Sequence, residues 1–264
     1  MRHAILGNGN LGNALAKELT AKNIECRIFS YSSGWKYPAS GVKDICKYNP
    51  THVWCTVGAG SVDQAKQNYI PFIDLHVKLP MELIQNLKED VVLHFFSTEY
   101  CSTKPQSLYA LSKTCMEESV RMTGRPNTYI YRIGSLYGTH KPKTCFPYKL
   151  KANAGDKSLL ADISLPSNCV SPTPVDWLAE TLLEMLEKYK HKTLNPIRVH
   201  PNGCCTVKEW GELILGREVI AGDKDPLRPL ECVHMNQGSG IPTWLELWDE
   251  RKNWYWYVEN TKKD

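Results

Sequence analysis

The chain has no apolar run long enough to span a bilayer, so no membrane-spanning segment is expected. It has no Cys-x-x-Cys pair, no His-x-x-x-His and no His-Glu-x-x-His. A zinc ribbon or a metalloprotease-type centre is therefore not expected, and no metal site is assigned. The 10 cysteines are scattered, with only Cys204 and Cys205 adjacent. That spacing fits no compact disulfide framework and predicts reduced, mostly buried thiols in a cytoplasmic protein. A basic block is also missing. The 32 Lys and Arg against 28 Asp and Glu leave a charge of +4 spread along the chain, so no nucleic-acid partner is expected. The Lys262-Lys263 pair is too short for a basic arm. There is no internal repeat and no low-complexity segment. No signal peptide is expected, because the first apolar residues run straight into a glycine-rich turn.

What is present is an ordinary globular composition over 264 residues, 42% hydrophobic and 23% charged. That length can bury a sizeable core in one large domain, or in one domain plus a small lobe. Arg2 to Leu6 reads as a buried strand, Asn10 to Lys22 as a helix, and Ile24 to Tyr31 as a second strand. Between the first two lies Gly7-Asn8-Gly9-Asn10-Leu11-Gly12. In a strand–turn–helix–strand unit this pattern has a mechanism. Gly7 permits the tight turn, Gly9 lets backbone approach a pyrophosphate, and Gly12 lets the helix pack closely. The helix N-terminus then offers free N–H groups and a positive dipole end to phosphate. NAD sites commonly place an acid at the end of the second strand. Here Arg27 through Lys43 contains none, and Ser30, Ser32, Ser33 and Lys36 stand there instead. Hydroxyls and a cation suit a 2′-phosphate, so NADP is favoured, with NAD as the alternative.

His52 to Val57 reads as a strand ending in Gly58-Ala59-Gly60, and Val57 and Gly58 would let a flat cofactor lie against backbone. Ser61 to Leu87 has a helical pattern that Pro71 and Pro80 must interrupt. Val91 to Ser97 reads as a strand, with His94 a packed core residue. Leu108 to Met122 reads as a helix carrying Tyr109 and Lys113. These two are four apart and share a helix face. An ammonium close to a phenol favours the phenolate, lowering a value that is ordinarily about 10. It can also hydrogen-bond a cofactor ribose. With a hydroxyl from Thr98 or Ser97 on the substrate oxygen, Tyr109 can act as general acid or base while the cofactor carries hydride. Thr128 to Ile133 reads as the next strand, so that Ile133 is a further candidate cofactor contact.

Strands alternating with helices imply an α/β, doubly wound parallel sheet. Residues 1–138 are expected to form the dinucleotide-binding core and 139–264 a small substrate lobe, with 171–190 returning to the core. Within the lobe, His140 to Lys157 is basic, Trp177 to Tyr189 reads as a helix, and Trp244, Trp248, Trp254 and Trp256 mark the tail. Trp244 and Trp248 are helically spaced and expected to pack inward.

These residues resemble the extended short-chain dehydrogenase/reductase superfamily. Within it they are most similar to dTDP-4-dehydrorhamnose reductase and related epimerase/dehydratase-like nucleotide-sugar enzymes. Four segments carry the resemblance. They are Ser97-Thr98-Glu99-Tyr100, Tyr109 to Lys113, Tyr131 to Gly138, and Ser171 to Ala179. Ser61 to Ala65 adds a weaker match. The chain departs from the pattern in its shorter glycine motif, its short Thr98–Tyr109 interval, Ser135 in place of Trp, and His76 where many relatives carry Asn. The resemblance implies a Rossmann fold with a C-terminal substrate lobe and a Thr98/Tyr109/Lys113 triad. It also implies NADP-dependent reduction of a keto-sugar nucleotide. An epimerase or dehydratase that retains NAD is the alternative within the superfamily, and Glu99 is the only acid in the loop that could serve it. A non-catalytic dinucleotide-binding regulatory subunit is the alternative outside enzymes. Pairing into a homodimer is compatible with all three.

Overall fold

The computed structural model describes residues 1–58, 60–101, 107–138, 145–154, 164–166, 168–188, 195–216, 218–223 and 241–248. In chain order the first elements are β1 (Arg2–Leu6), α1 (Asn10–Ala21), β2 (Glu25–Phe29), α2 (Lys43–Tyr48), β3 (His52–Cys55), α3 (Val62–Gln67) and α4 (Ile70–Ile73). A π-helical turn over Asp74–Lys78 leads into α5 (Leu79–Asn86). Then come β4 (Val92–Thr98), α6 (Leu108–Met122), β5 (Thr128–Ile133), β6 (Ser135–Tyr137), α7 (Phe146–Ala154), β7 (Ser164–Pro166), β8 (Cys169–Val170) and β9 (Pro172–Pro174). The last are α8 (Val175–Lys188), β10 (Ile197–Val199), β11 (Cys205–Thr206), α9 (Val207–Leu215) and β12 (Ile220–Gly222).

Two compact units result, 1–133 with 178–199, and 134–177 with 200–264. The first holds a six-stranded sheet in the order β10-β5-β4-β3-β1-β2. Every neighbouring pair is parallel. The fold is thus the doubly wound Rossmann type. The chain moves outward from β1 to β2, then returns to place β3 on the other side of β1. The crevice at the C-terminal ends of β1 and β3 is the switch point where such sheets take ligands.

One sheet face is apolar. Ala4, Leu6, Val53, Leu93, Phe95 and Ile130 pack there with Ile45, Leu79, Leu83, Met116 and Val120 of the helices. The residues that alternate with them build a layer of rings. His3 stacks on His52 at 4.5 Å, Trp54 on His94 at 3.8 Å, and His94 on Tyr131 at 5.9 Å. Trp54 Nε1 donates to His3 Nδ1 at 2.9 Å, and His94 Nδ1 lies 3.1 Å from the Tyr131 hydroxyl. His94 is a core residue, as its strand position implies.

Pro71 falls in the first turn of α4, where a missing N–H costs least, whereas Pro80 follows helical Lys78 and Leu79 and so lies inside a continuous helical run. The helix does not break at Pro80. With no proline N–H to receive, the backbone shifts to a π pattern, in which Leu79 N–H reaches Asp74 O. Strand β3 ends at Cys55 rather than Val57, because Thr56 N–H turns back to Trp54 O at 3.0 Å.

The second unit has its own core, in which Tyr137, Val170, Trp210, Ile214 and Trp248 pack together and Trp244 lies against them. Trp254 and Trp256 lie outside the described residues, as do 140–144 and 155–157 of the basic segment. Among the described residues eight cysteines are free thiols, which matches the expectation of reduced thiols, but only four of them are buried rather than most. Cys204 corrects it, because it is disulfide-bonded.

Candidate functional site

The glycine turn is built by two close approaches. Gly7 has φ of +102°, a conformation that favours glycine. At Gly12 an added Cβ would lie 2.1 Å from Gly7 O and 2.8 Å from Thr56 Oγ1, so α1 can pack there only without a side chain. Thr56 Oγ1 donates to Leu6 O at 2.9 Å, tying the β3 end to the β1 end. Asn13 Nδ2 donates to Asn8 O at 2.6 Å and Gly9 O at 2.8 Å, holding the turn from inside α1. Gly9, by contrast, is exposed, and a Cβ there would meet nothing within 4 Å. The α1 N-terminus has no side-chain cap and no acid in its first turn. Its positive dipole end therefore faces the turn with no side-chain charge to offset it, which suits an anion. Asn10 is half-buried beside them, while Leu11 faces the core.

Ser30 and Ser32 follow β2. Their hydroxyl oxygens lie 2.9 Å apart, and Asn8 Nδ2 donates to Ser32 Oγ at 2.8 Å. The turns after β1 and β2 are thus joined by a polar hydroxyl cluster. Lys36 is exposed, with Nζ 5.9 Å from the Tyr31 ring centre. Val57 is half-buried, and its backbone lies 3.0 Å from where a Gly7 Cβ would be. Gly58 is exposed beside it.

Two elements bring the remaining candidates together. Strand β4 ends at Thr98, paired in register with Ile133 at the end of β5. Ser107 caps α6 by accepting from Ala110 N–H at 3.1 Å, which starts the helix so that Tyr109 lies in its first turn. The Thr98 side chain is close enough to bear on the Tyr109 phenol. Burial, the largest influence on the Tyr109 phenol, raises it above the ordinary value, and the Thr98 side chain opposes this. The phenol is therefore protonated at neutral pH. Lys113 is 8% exposed, and its Nζ donates to Phe96 O at 2.6 Å. Desolvation pushes the ammonium down to about 8, against the opposing pull of Cys55, Cys101 and Glu117. The ammonium does not govern the phenol here in the direction the spacing alone implied. The ammonium is engaged by the β4 backbone, and burial governs the phenol.

Several residues that frame this arrangement were not singled out from the sequence. Glu117, four residues after Lys113, accepts from Arg132 Nε at 2.9 Å and Nη2 at 2.6 Å. It also accepts from the Ser97 hydroxyl. This buried fork ties α6 to the ends of β4 and β5. A helical-period carboxylate next to the Tyr-Lys pair was the available signal. Asn13 and Thr56 gave weaker ones, a polar residue inside an apolar helix and a hydroxyl ending an apolar strand. Glu99 is buried and ion-paired with Arg198 at 3.6 Å.

Among the described residues, no group of three or more His, Cys, Asp or Glu could hold a metal ion. Among them too, no helix is long and apolar enough to cross a membrane.

Solved structures share the fold. A dTDP-4-dehydrorhamnose reductase from Bacillus anthracis in complex with NADP superposes with a TM-score of 0.72 at 18% identity, covering 93% of this chain and 95% of that one. A UDP-N-acetylglucosamine 4-epimerase from Methanobrevibacter ruminantium in complex with UDP-N-acetylmuramic acid gives 0.72 at 15%, covering 98% of each. A Thermus thermophilus UDP-glucose 4-epimerase in complex with NAD gives 0.69 at 17%, covering 95% and 93%. No curated protein matches the chain by sequence. The RmlD substrate binding domain family matches residues 1–231, so the chain belongs to that family.

Proposed function

We propose that the chain is an NADP-dependent reductase of a keto-sugar nucleotide. The observation that carries this reading is the placement of Thr98 at the end of β4, Tyr109 in the first turn of α6 and the Lys113 ammonium one helical turn on, held to Phe96 O. Thr98 would donate to the substrate carbonyl oxygen. Tyr109, protonated at rest, would give that oxygen its proton, which suits reduction better than oxidation. Lys113 would hold the nicotinamide ribose with the donors that Phe96 O leaves over, and its value near 8 lets it share a proton close to neutral pH. Gly7, Gly9 and Gly12 with Asn8, Asn10 and Leu11 would receive the pyrophosphate. Ser30, Ser32 and Lys36 would receive the 2′-phosphate. Val57, Gly58 and Ile133 would border the rings. The dinucleotide, when bound, supplies the hydride. The RmlD family membership and the reductase neighbour crystallised with NADP support the reading.

The retained-NAD epimerase reading draws on the epimerase neighbours. The ion pairing of Glu99 with Arg198 weighs against a free extra acid for dehydration. Titrating the purified protein with NADPH and NADH, then assaying keto-sugar nucleotides, tests the proposal. NADPH preference with turnover lost in Tyr109→Phe is the expected result. NAD that survives washing would favour the epimerase, and binding of neither dinucleotide would favour a non-catalytic subunit.

A further inference from the structure

His76 lies in the π-helical turn, 2% exposed. Turns of this kind within α-helices occur frequently at functional sites. Its ring sits edge-on to Phe72 at 5.6 Å and to Tyr109 at 5.8 Å. Its Nδ1 lies 2.9 Å from Ser112 Oγ, and Ser112 Oγ lies 2.8 Å from Tyr109 O.

These two distances decide the tautomer. The Ser112 hydroxyl has one proton. If that proton went to Nδ1, Ser112 Oγ would face Tyr109 O lone pair to lone pair. If it goes to Tyr109 O, Nδ1–H donates to Ser112 Oγ and both contacts are hydrogen bonds. Burial and the Lys113 charge keep the ring neutral. A neutral ring protonated at Nδ1 carries a bare lone pair at Nε2, and Nε2 is buried with no hydrogen-bond partner in the protein. A bare buried acceptor costs stability, so stability alone does not account for an imidazole here.

We infer that His76 is a positioning residue for Tyr109. It acts through Ser112 on the first turn of α6 and through ring contact on the plane of the phenol, at a cost in stability. This rests on the reductase reading for its consequence but not for its geometry. His76→Phe keeps a flat ring beside Tyr109 and removes both nitrogens. Ser112→Ala removes only the link.

The test has two parts. In the intact chain, imidazole ¹⁵N NMR should show Nδ1 protonated and Nε2 bare. Ser112→Ala should move the Nδ1 signal and the Tyr109 ring protons together. The reverse tautomer, or Tyr109 signals that ignore Ser112→Ala, would overturn the inference without any assay of activity. In the second part, His76→Phe should lower kcat at least tenfold with cofactor KM unchanged, while Tm stays level or rises. A fall in Tm with kcat intact would make His76 merely structural and sink the inference. If His76→Phe does not fold, it is likewise merely structural. Tyr109→Phe separates the two ideas. If that variant keeps turnover, the reductase mechanism fails. If it is inactive while His76→Phe is fully active, only the positioning role fails.

Discussion

Arg125 offers the sharpest energetic test of how the site is held. It follows α6, and its guanidinium reaches back under β4. Nη1 donates to Ile84 O at 2.7 Å and Leu87 O at 2.9 Å, and Nη2 donates to Lys88 O and, at 3.4 Å, to Val91 O. The first two carbonyls belong to the C-terminal end of α5, where helix carbonyls lack internal partners and a cation is favoured. The others line the turn that feeds β4 and so, seven residues on, Thr98. Arg125→Met keeps the apolar stem and deletes the fork. Three close charged hydrogen bonds at about 1.5–3 kcal/mol each would total roughly 5–9 kcal/mol. Relieving the burial of the guanidinium returns several kcal/mol of that. The expected net loss is about 3 kcal/mol, or roughly 6–12 °C in Tm at 2–4 °C per kcal/mol. Arg125→Lys keeps charge but not the planar fork, and should lose about half as much. Urea unfolding followed by tryptophan fluorescence measures both, and hydrogen exchange should show β4 amides deprotected first. If Arg125→Met unfolds within about 0.5 kcal/mol of the parent, water serves those carbonyls equally well and the clamp argument is wrong.

Other outcomes are open to direct measurement. Gly12→Ala should abolish dinucleotide binding in calorimetry and lower Tm, since its Cβ would lie 2.1 Å from Gly7 O, whereas Gly9→Ala should fold normally. Breaking the Glu117–Arg132 fork at either end should cost about 3–5 kcal/mol, while the Leu/Leu double variant costs less than the two singles summed; strict additivity would count against a coupled buried pair. Turnover in the reductive direction should be level below about pH 8 and fall above it as Lys113 loses its proton. The same limb surviving in Lys113→Arg would assign it elsewhere. Burial holds His3 down to about 3 and His52 to about 4, from an ordinary 6.5. The unfolded chain takes up those protons below about 6.5 and the fold does not. Stability should therefore be full above that pH and fall by on the order of 1.4 kcal/mol per unit per ring toward pH 4. A flat Tm from pH 7 to 4.5 would refute this.

The sequence by itself determined the elements and their order. Apolar runs of strand length, the Leu11–Leu15–Leu19 spacing and the glycine turn are local signals, and β1, α1 and α6 formed within a residue or so of where those signals put them. The parallel doubly wound sheet followed from their alternation, since parallel neighbours need a helical crossover. Tyr109 and Lys113 on one helix, and Thr98 ending a strand, were legible for the same reason.

What only the tertiary structure decided was how those groups act on one another. Helical spacing placed the Lys113 ammonium near Tyr109, but Phe96 O, seventeen residues back on another element, claims it. Burial then sets the phenol in the opposite direction to that expected from spacing. The π turn arises from Pro80 within a helix the sequence read as merely interrupted. The Glu117–Arg132 fork, the Arg125 clamp and the ring layer of His3, His52, Trp54 and His94 all join residues distant in sequence. A hydrogen bond depends on angles and distances between elements, and sequence periodicity specifies only which side of one element a residue occupies.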